Sequence, residues 1–341
     1  MSCIELINIT KKFNNKSVLK NINLDIREGE IISILGKSGC GKSTTLQLIA
    51  GLMEPDDGDI LFNNESVLNI PTDKRDVVIM FQDYRLFPHM TVFENIEFGL
   101  KVRKEDRKIR KHKVEELLSL VKLDELEQKF PHQLSGGQSQ RVTIARSLAV
   151  NPKVLLLDEP FSNLDINLRD EMREFVLGLQ KRLKKTMVLV THDKEEALIM
   201  SDRIGVMIDG EIKQFDTPKT LYERPINKEV ANIFGERNYI KGRLNKGRFF
   251  SDIVELSLDT DENIENAEIM IPIENIIIDA DTSKGSIKGR IRKKRYAGGK
   301  TYYNVEVKES ILKVISSENV YSEDDEVSLF IDNKNIICFE V

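Results

Sequence analysis

Residues 31–44 read IISILGKSGCGKST. A short run of strand character, Ile31 to Leu35, leads into a glycine-rich loop, and a helix is expected to open at Thr44 and run to Ala50. The spacing satisfies G-x-x-x-x-G-K-[ST] through Gly36, Gly41, Lys42 and Ser43. Gly36, Gly39 and Gly41 let the backbone curl until its N–H groups point inward, and the helix N-terminus adds partial positive charge. Such a loop grips the β- and γ-phosphates of a nucleotide. Lys42 supplies a point charge to those phosphates and Ser43 a hydroxyl for Mg²⁺. The whole loop (Gly36, Lys37, Ser38, Gly39, Cys40, Gly41, Lys42, Ser43 and Thr44) is therefore a candidate nucleotide site.

The surrounding chain reads as α/β. Val154–Leu157 and Met187–Val190 are further apolar runs expected to be buried on both faces, as in a largely parallel sheet. Between them Leu164, Leu168, Met172, Phe175, Val176, Leu179 and Leu183 recur at helical spacing. Residues 101–130 are charged and helical with no strand signal, which marks a helical insertion over about 84–150. Asp209-Gly210 is a two-residue hairpin turn between IGVMI and EIKQF, and TPKTLYERP and NKEVANIF read as short helices. After Gly235 short β runs separated by Gly, Asn, Asp and Ser take over, predicting an all-β barrel or sandwich over 236–341.

Composition limits the function. The 341 residues exceed a typical single domain, so two domains are expected. Net charge is −5, and the one dense basic cluster, IRKKRY (291–296), reads as a solvated strand edge or loop, so nucleic-acid binding is not expected. Tyr296, Tyr302 and Tyr303 are the only tight aromatic group of the β region. Cys3, Cys40 and Cys338 lack metal-ligand spacing and suit a reducing compartment. The start, MSCIELINIT, does not resemble a signal peptide, and no stretch approaches the length of a membrane span.

A second acidic element completes the first. VLLLDEP ends an apolar strand with Asp158 and Glu159, carboxylates that are costly there unless solvated or beside a cation. Asp158 is expected to reach Mg²⁺, and Glu159 to polarise the water that attacks the γ-phosphate.

LSGGQ (134–138), followed by SQRVTIARSL and LLLDEP, resembles the signature of ATP-binding-cassette ATPases, and the resemblance covers residues 4 to about 235. It implies a nucleotide-binding domain at 1–235. It further implies that Phe13 stacks on adenine and that Gln82 contacts Mg²⁺ or water and reports to a membrane partner. SNLD (162–165) matches the D-loop, so Asp165 joins the site, and His192 matches the switch histidine. In this family two cassettes stack head to tail. Ser135, Gly136, Gly137 and Gln138 of one copy then face the ATP held by the phosphate loop of the other.

The tail resembles the oligonucleotide/oligosaccharide-type β domain called TOBE, found in bacterial importers of polyamines, ferric iron, sulfate, phosphonates and sugars. The branch's Ile-Arg-Pro-Glu stretch stands here as Ile271-Pro272-Ile273-Glu274, without its arginine. The implied protein is the energy-coupling ATPase of an importer, with polyamine, ferric iron or phosphonate cargo favoured over carbohydrate. Its partners are a second copy or paralogue, two membrane-spanning permease subunits and, indirectly, a solute-binding protein, and its place is the cytoplasmic face of the membrane. A soluble cassette ATPase acting on DNA or ribosomes is the alternative from another class.

Overall fold

The computed structural model describes residues 2–83, 86–279 and 287–340; Tyr84 and Arg85, where the helical insertion was expected to begin, lie outside that range. The chain divides into two compact units, one ending at Pro218 and the other starting at Lys219.

The first unit is built on a six-stranded sheet. β3 (Ile31–Leu35) lies between β9 (Arg203–Ile208) and β8 (Thr186–Thr191); β7 (Val154–Asp158) and β6 (Val77–Met80) follow, all parallel. β10 (Glu211–Asp216) closes the edge antiparallel to β9. The side-chain alternation of these strands feeds two separate cores. Ile32, Ile34, Val154, Leu156, Val188 and Val190 pack on one face, while Ile31, Leu155, Leu157, Met187 and Leu189 pack on the other. Burial on both faces explains why the strands are uniformly apolar rather than alternating.

On the first face lie α1 (Lys42–Ala50) and a four-stranded antiparallel sheet of order β2-β1-β4-β5. Its strands are β1 (Ser2–Phe13), β2 (Lys16–Arg27), β4 (Asp57–Phe62) and β5 (Glu65–Ser66). The largely parallel sheet expected for this region is the six-stranded one; the antiparallel sheet beside it was not anticipated. Register shifts break the β1–β2 pairing, and Asn8 and Asn21 take positive φ (54° and 52°). These irregularities erase the period-2 pattern that would have announced both strands. The other face is covered by α5 (Ile166–Leu183) and part of α4 (Gly136–Ala149). α2 (Val92–Val102), α3 (Arg107–Leu120) and α4 share a small core of their own, in which Ile96, Leu100, Val114, Leu118 and Val142 are buried. α6 (Lys194–Met200) follows β8.

The second unit, from Lys219, takes in all but the first residue of α7 (Pro218–Glu223) and the whole of α8 (Lys228–Phe234), and so starts earlier than the step expected after 235. The reason is chemical: Lys228 pairs with Glu268, and Tyr222 donates to Glu274, both partners belonging to the β region. Two five-stranded sheets enclose its core. The first has the order β13-β12-β11-β14-β20, with β11 (Arg237–Asn245), β12 (Arg248–Phe250), β13 (Glu255–Ser257), β14 (Ile264–Pro272) and β20 (Ile337–Glu340). The second has the order β15-β19-β16-β17-β18, with β15 (Ile276–Asp279), β16 (Ile287–Tyr296), β17 (Thr301–Val307), β18 (Ser310–Ser316) and β19 (Glu326–Ile331).

The basic stretch 291–296 is the end of β16: it pairs with β17, while the pairing of β16 with β19 stops at Arg290. Arg292, Lys293, Arg295 and Tyr296 are exposed, so it is the solvated strand edge expected, with Arg292 on Glu306. Tyr303 is fully buried and its hydroxyl donates to the Glu318 carbonyl at 3.1 Å, so its ring is not offered to a base. Within 271–274, Glu274 pairs with Arg237, whose Nη1 lies 3.3 Å from its Oε1.

Two features of the first unit generate predictions. Gly210 has φ 82°, and a Cβ there would stand 2.3 Å from the Val18 carbonyl oxygen. Gly210→Ala should therefore cost about 1–3 kcal/mol in urea unfolding, and an unchanged midpoint would show that the turn can yield. Glu196 is 3% exposed, and burial pushes its carboxyl up from 4.5 to about 7. The folded form holds that proton in a range where the unfolded chain has released it, so stability falls as pH rises from 4.5 to about 7. Glu196→Gln should thus exceed the parent's stability by up to about 3 kcal/mol near pH 8, and the gap should close toward pH 4.5. A gap independent of pH would contradict this.

Candidate functional site

The C-terminal ends of β3, β7 and β8 converge on one place, the usual location of ligands in open α/β sheets. From β3 the chain enters the phosphate loop. Gly41 caps α1 with φ 110°, and an added Cβ would lie 2.5 Å from Leu19 Cδ2 and 3.0 Å from the Val18 carbonyl. No larger residue fits. The same contact seats the β1–β2 hairpin against the loop. Phe13 ends β1 just before the Asn14-Asn15 turn, and its ring is 41% exposed. Lys37, Ser38 and Gly39 are exposed and Thr44 half-buried, while Lys42 is only 5% exposed. Its ammonium donates to the carbonyls of Gly36 (2.9 Å) and Lys37 (3.0 Å), which holds the charge inside the curl of the loop. Cys40 is partly buried with its thiol pKa raised by that burial, consistent with packing rather than with a reactive thiolate.

From β7 come the acids. Ser43 Oγ donates to Asp158 Oδ1 at 3.0 Å, so the two expected Mg²⁺ ligands stand side by side. Burial, reinforced by the neighbouring Glu159 charge, raises the Asp158 carboxyl above its ordinary value against the opposing Ser43 and Lys42. A cation there would reverse this. No cluster of three or more His, Cys, Asp or Glu able to hold a metal exists among the described residues. Mg²⁺ at Ser43 and Asp158 would therefore need phosphate oxygens to complete its shell, which suits a metal that arrives with nucleotide.

Glu159 takes φ 46°, in the left-handed region that a side-chain-bearing residue adopts only under constraint. Its N–H still donates to the Val190 carbonyl at 2.9 Å, but the turn swings its carboxylate toward β8. There Oε1 meets His192 Nδ1 at 3.1 Å, while the imidazole stays 57% exposed. A carboxylate and an imidazole from two strand ends are thus brought together. Gln82 joins through Ser162: its Nε2 donates to Ser162 Oγ at 3.0 Å, and Ser162 donates to the Glu159 carbonyl at 2.9 Å. The Gln82 amide oxygen is left as the end able to face a cation.

The signature residues lie elsewhere. Ser135 caps α4 in a reciprocal box: its Oγ accepts from the Gln138 N–H (3.3 Å), and Gln138 Oε1 accepts from the Ser135 N–H (3.0 Å). The first-turn N–H groups of Gly136 and Gly137 have no intrahelical partner, the arrangement that receives anions. Gly137 is packed so that a Cβ would lie 2.7 Å from Leu168. Among the described residues no hydrogen bond joins 135–138 to the phosphate loop. Asp165 likewise serves locally as the N-cap of α5, accepting from the Leu168 N–H at 2.9 Å.

Residues absent from the sequence reading also shape the site. Gln140, fully buried, donates through Nε2 to the Pro160 carbonyl at 2.7 Å and ties the signature helix to the residue after Glu159. Asp193 caps α6, accepting from the Glu195 and Glu196 N–H groups, and pairs with Arg173 at 3.0 Å. Glu196 is buried beneath it. The available signal was a polar residue in register with an apolar helical stripe, Gln140 with Ile144 and Leu148, and Glu196 with Met200.

Comparison with known proteins identifies the family. The ABC transporter family profile matches residues 19–162. A spermidine/putrescine import ATP-binding protein, PotA, of Clostridioides difficile is 44% identical over 310 residues, 90% of this chain and 88% of that protein. A Fe(3+) ions import ATP-binding protein, FbpC, of Fusobacterium nucleatum is 41% identical over 304 residues, 88% of this chain and 82% of that one. Among solved structures, a dimeric post-hydrolysis state of the ATP-binding cassette MJ0796 with ADP and Pi superposes with TM-score 0.56 at 35% identity, covering 63% of this chain and 98% of that one. The two acids at the end of β7, the phosphate loop they face and the relatives that align across nearly the whole chain place this protein in the ABC transporter family, among the ATP-binding subunits of importers.

Proposed function

We propose that the chain hydrolyses ATP as one half of a head-to-tail pair and thereby powers import of a small cationic solute of the polyamine or ferric-iron type. The observation that carries the reading is the pairing, at one sheet end, of Ser43 with Asp158 and of Glu159 with His192. Lys42 and the loop N–H groups bind the β- and γ-phosphates. Ser43, Asp158 and the Gln82 amide oxygen would hold Mg²⁺, which would supply charge neutralisation at the phosphates when bound. Glu159 accepts the proton of the attacking water, and His192 fixes the carboxylate and meets the γ-phosphate from its exposed side.

An exposed signature turn, separate from the phosphate loop within one chain, supports assembly in trans. So does Ile166, which stands 76% exposed directly after Asp165. The cationic cargo is supported by the names of the relatives cited above, which carry polyamine and Fe(3+) import. No helix among the described residues is long and apolar enough to cross a membrane. Separate permease subunits would supply the transmembrane path, with this chain docked on their cytoplasmic face, a reading supported by the import names of the relatives.

Glu159→Gln keeps the shape of the side chain and removes the base. ATP turnover should fall by about 10²-fold or more while ATP-dependent dimers accumulate on size-exclusion chromatography. Parental turnover in this variant would overturn the role of Glu159. Uptake of labelled spermidine and of labelled ferric iron into cells lacking the gene, complemented with the parent or with the Glu159→Gln chain, separates the cargo classes. Restoration of neither uptake by the parent chain would exclude the cationic reading.

A further inference from the structure

Glu196 is an ionisable side chain in the interior of the first unit that the chemistry above does not use. It is 3% exposed, its Oε1 has no hydrogen-bond partner among the described residues, and its Oε2 accepts from the Thr191 hydroxyl at 2.9 Å. Burying a carboxylate this way is unfavourable, and its one good bond therefore calls for an explanation. Thr191, itself 2% exposed, precedes His192, and its Oγ1 also accepts from the Asp193 N–H at 2.9 Å. One hydroxyl thus clamps the residues on both sides of His192. Because it has a single proton to donate, Glu196 decides where that proton points and so how the hydroxyl is oriented.

The neighbours hold the same loop from the far side. Asp193 Oδ1 accepts from the Glu195 and Glu196 N–H groups at 2.8 and 3.3 Å. Asp193 Oδ2 lies 3.0 Å from Arg173 and 3.6 Å from Arg169, both on α5. On the other side of the strand end, Val190 accepts the Glu159 N–H. Glu159 and His192 are therefore each tied to the tip of β8, and their 3.1 Å separation depends on how firmly that tip is held.

We propose that Glu196 is a positioning residue for His192: acting through the Thr191 hydroxyl, it fixes the backbone that presents the imidazole to Glu159. The proposal rests on the reading of His192 given above. It concerns the geometry of the hydrolytic step and not nucleotide binding, because the phosphate loop and Lys42 are held by other bonds.

The test is steady-state ATPase kinetics of the purified full-length chain, with folding checked by circular dichroism and affinity by a fluorescent ATP analogue. Glu196→Ala and Thr191→Val should each lower kcat by about tenfold or more with KM for ATP and analogue affinity within about twofold of the parent. Glu196→Gln and Thr191→Ser, which keep an acceptor and a hydroxyl, should recover most of kcat. The double variant Thr191→Val/Glu196→Ala should be no worse than either single change, since both act through one link.

Parental kcat in Glu196→Ala would overturn the proposal, as would fully additive losses in the double variant or a loss that lies in KM. Failure of Glu196→Gln to recover activity would equally contradict it. His192→Ala measured alongside separates the two readings. If His192→Ala hydrolyses ATP like the parent, the role of His192 itself is wrong; if it is impaired while Glu196→Ala is not, only the present proposal fails.

Discussion

Asp158 and Glu159 are adjacent carboxylates at the end of a strand that is apolar and buried on both faces. Like charges in that setting repel and lose hydration together, and Asp158 registers the effect in a carboxyl raised by burial and by its neighbour. The surrounding structure reads as a response to that constraint. The sheet order puts the Lys42 ammonium and the Ser43 hydroxyl beside the first acid, and the left-handed turn at Glu159 carries the second away to His192. Strain at Glu159 is sustained because its N–H, its carbonyl and the following Pro160 carbonyl are each held by a different element.

Those restraints connect Glu159 and Pro160 to parts of the chain that do not touch the phosphate loop. Ser162 links Glu159 to Gln82, and Gln140 links Pro160 to the helix that begins at the signature turn. In a head-to-tail pair that helix would face the partner's nucleotide, so Gln140 would mechanically join one copy's base to the other copy's γ-phosphate contact. Ligand removal at one site would then be felt at the other through a buried amide rather than through a flexible loop.

Much of this was legible in the sequence because the informative residues are close in sequence or repeat with a clean period. The phosphate loop needs no tertiary knowledge, and the parallel strands announce themselves as unbroken apolar runs. The Asp209-Gly210 turn follows from the φ preferences of two residues, 50° and 82° in the structure. The antiparallel sheet of β1 and β2 was not legible, since bulges and positive-φ asparagines break its alternation. The placement of β16 inside a sheet depends on pairing with β19, a partner distant in sequence. Arg237 beside Glu274 and Glu196 beneath Thr191 are contacts between residues whose relation only the fold creates. The boundary at 218 was obscured for a similar reason: α7 and α8 look like the end of an α/β unit until their charged partners on β14 and beyond are seen.

The central claim is that each nucleotide is held by the phosphate loop of one copy and the signature turn of another. Mixing two inactive full-length variants, Lys42→Ala and Ser135→Arg, tests it most directly. In a mixed pair one site inherits both lesions and the other inherits none. The account predicts that the mixture hydrolyses ATP although neither preparation does so alone. Persistent inactivity in the mixture, with mixed dimers verified by differential tagging, would contradict it.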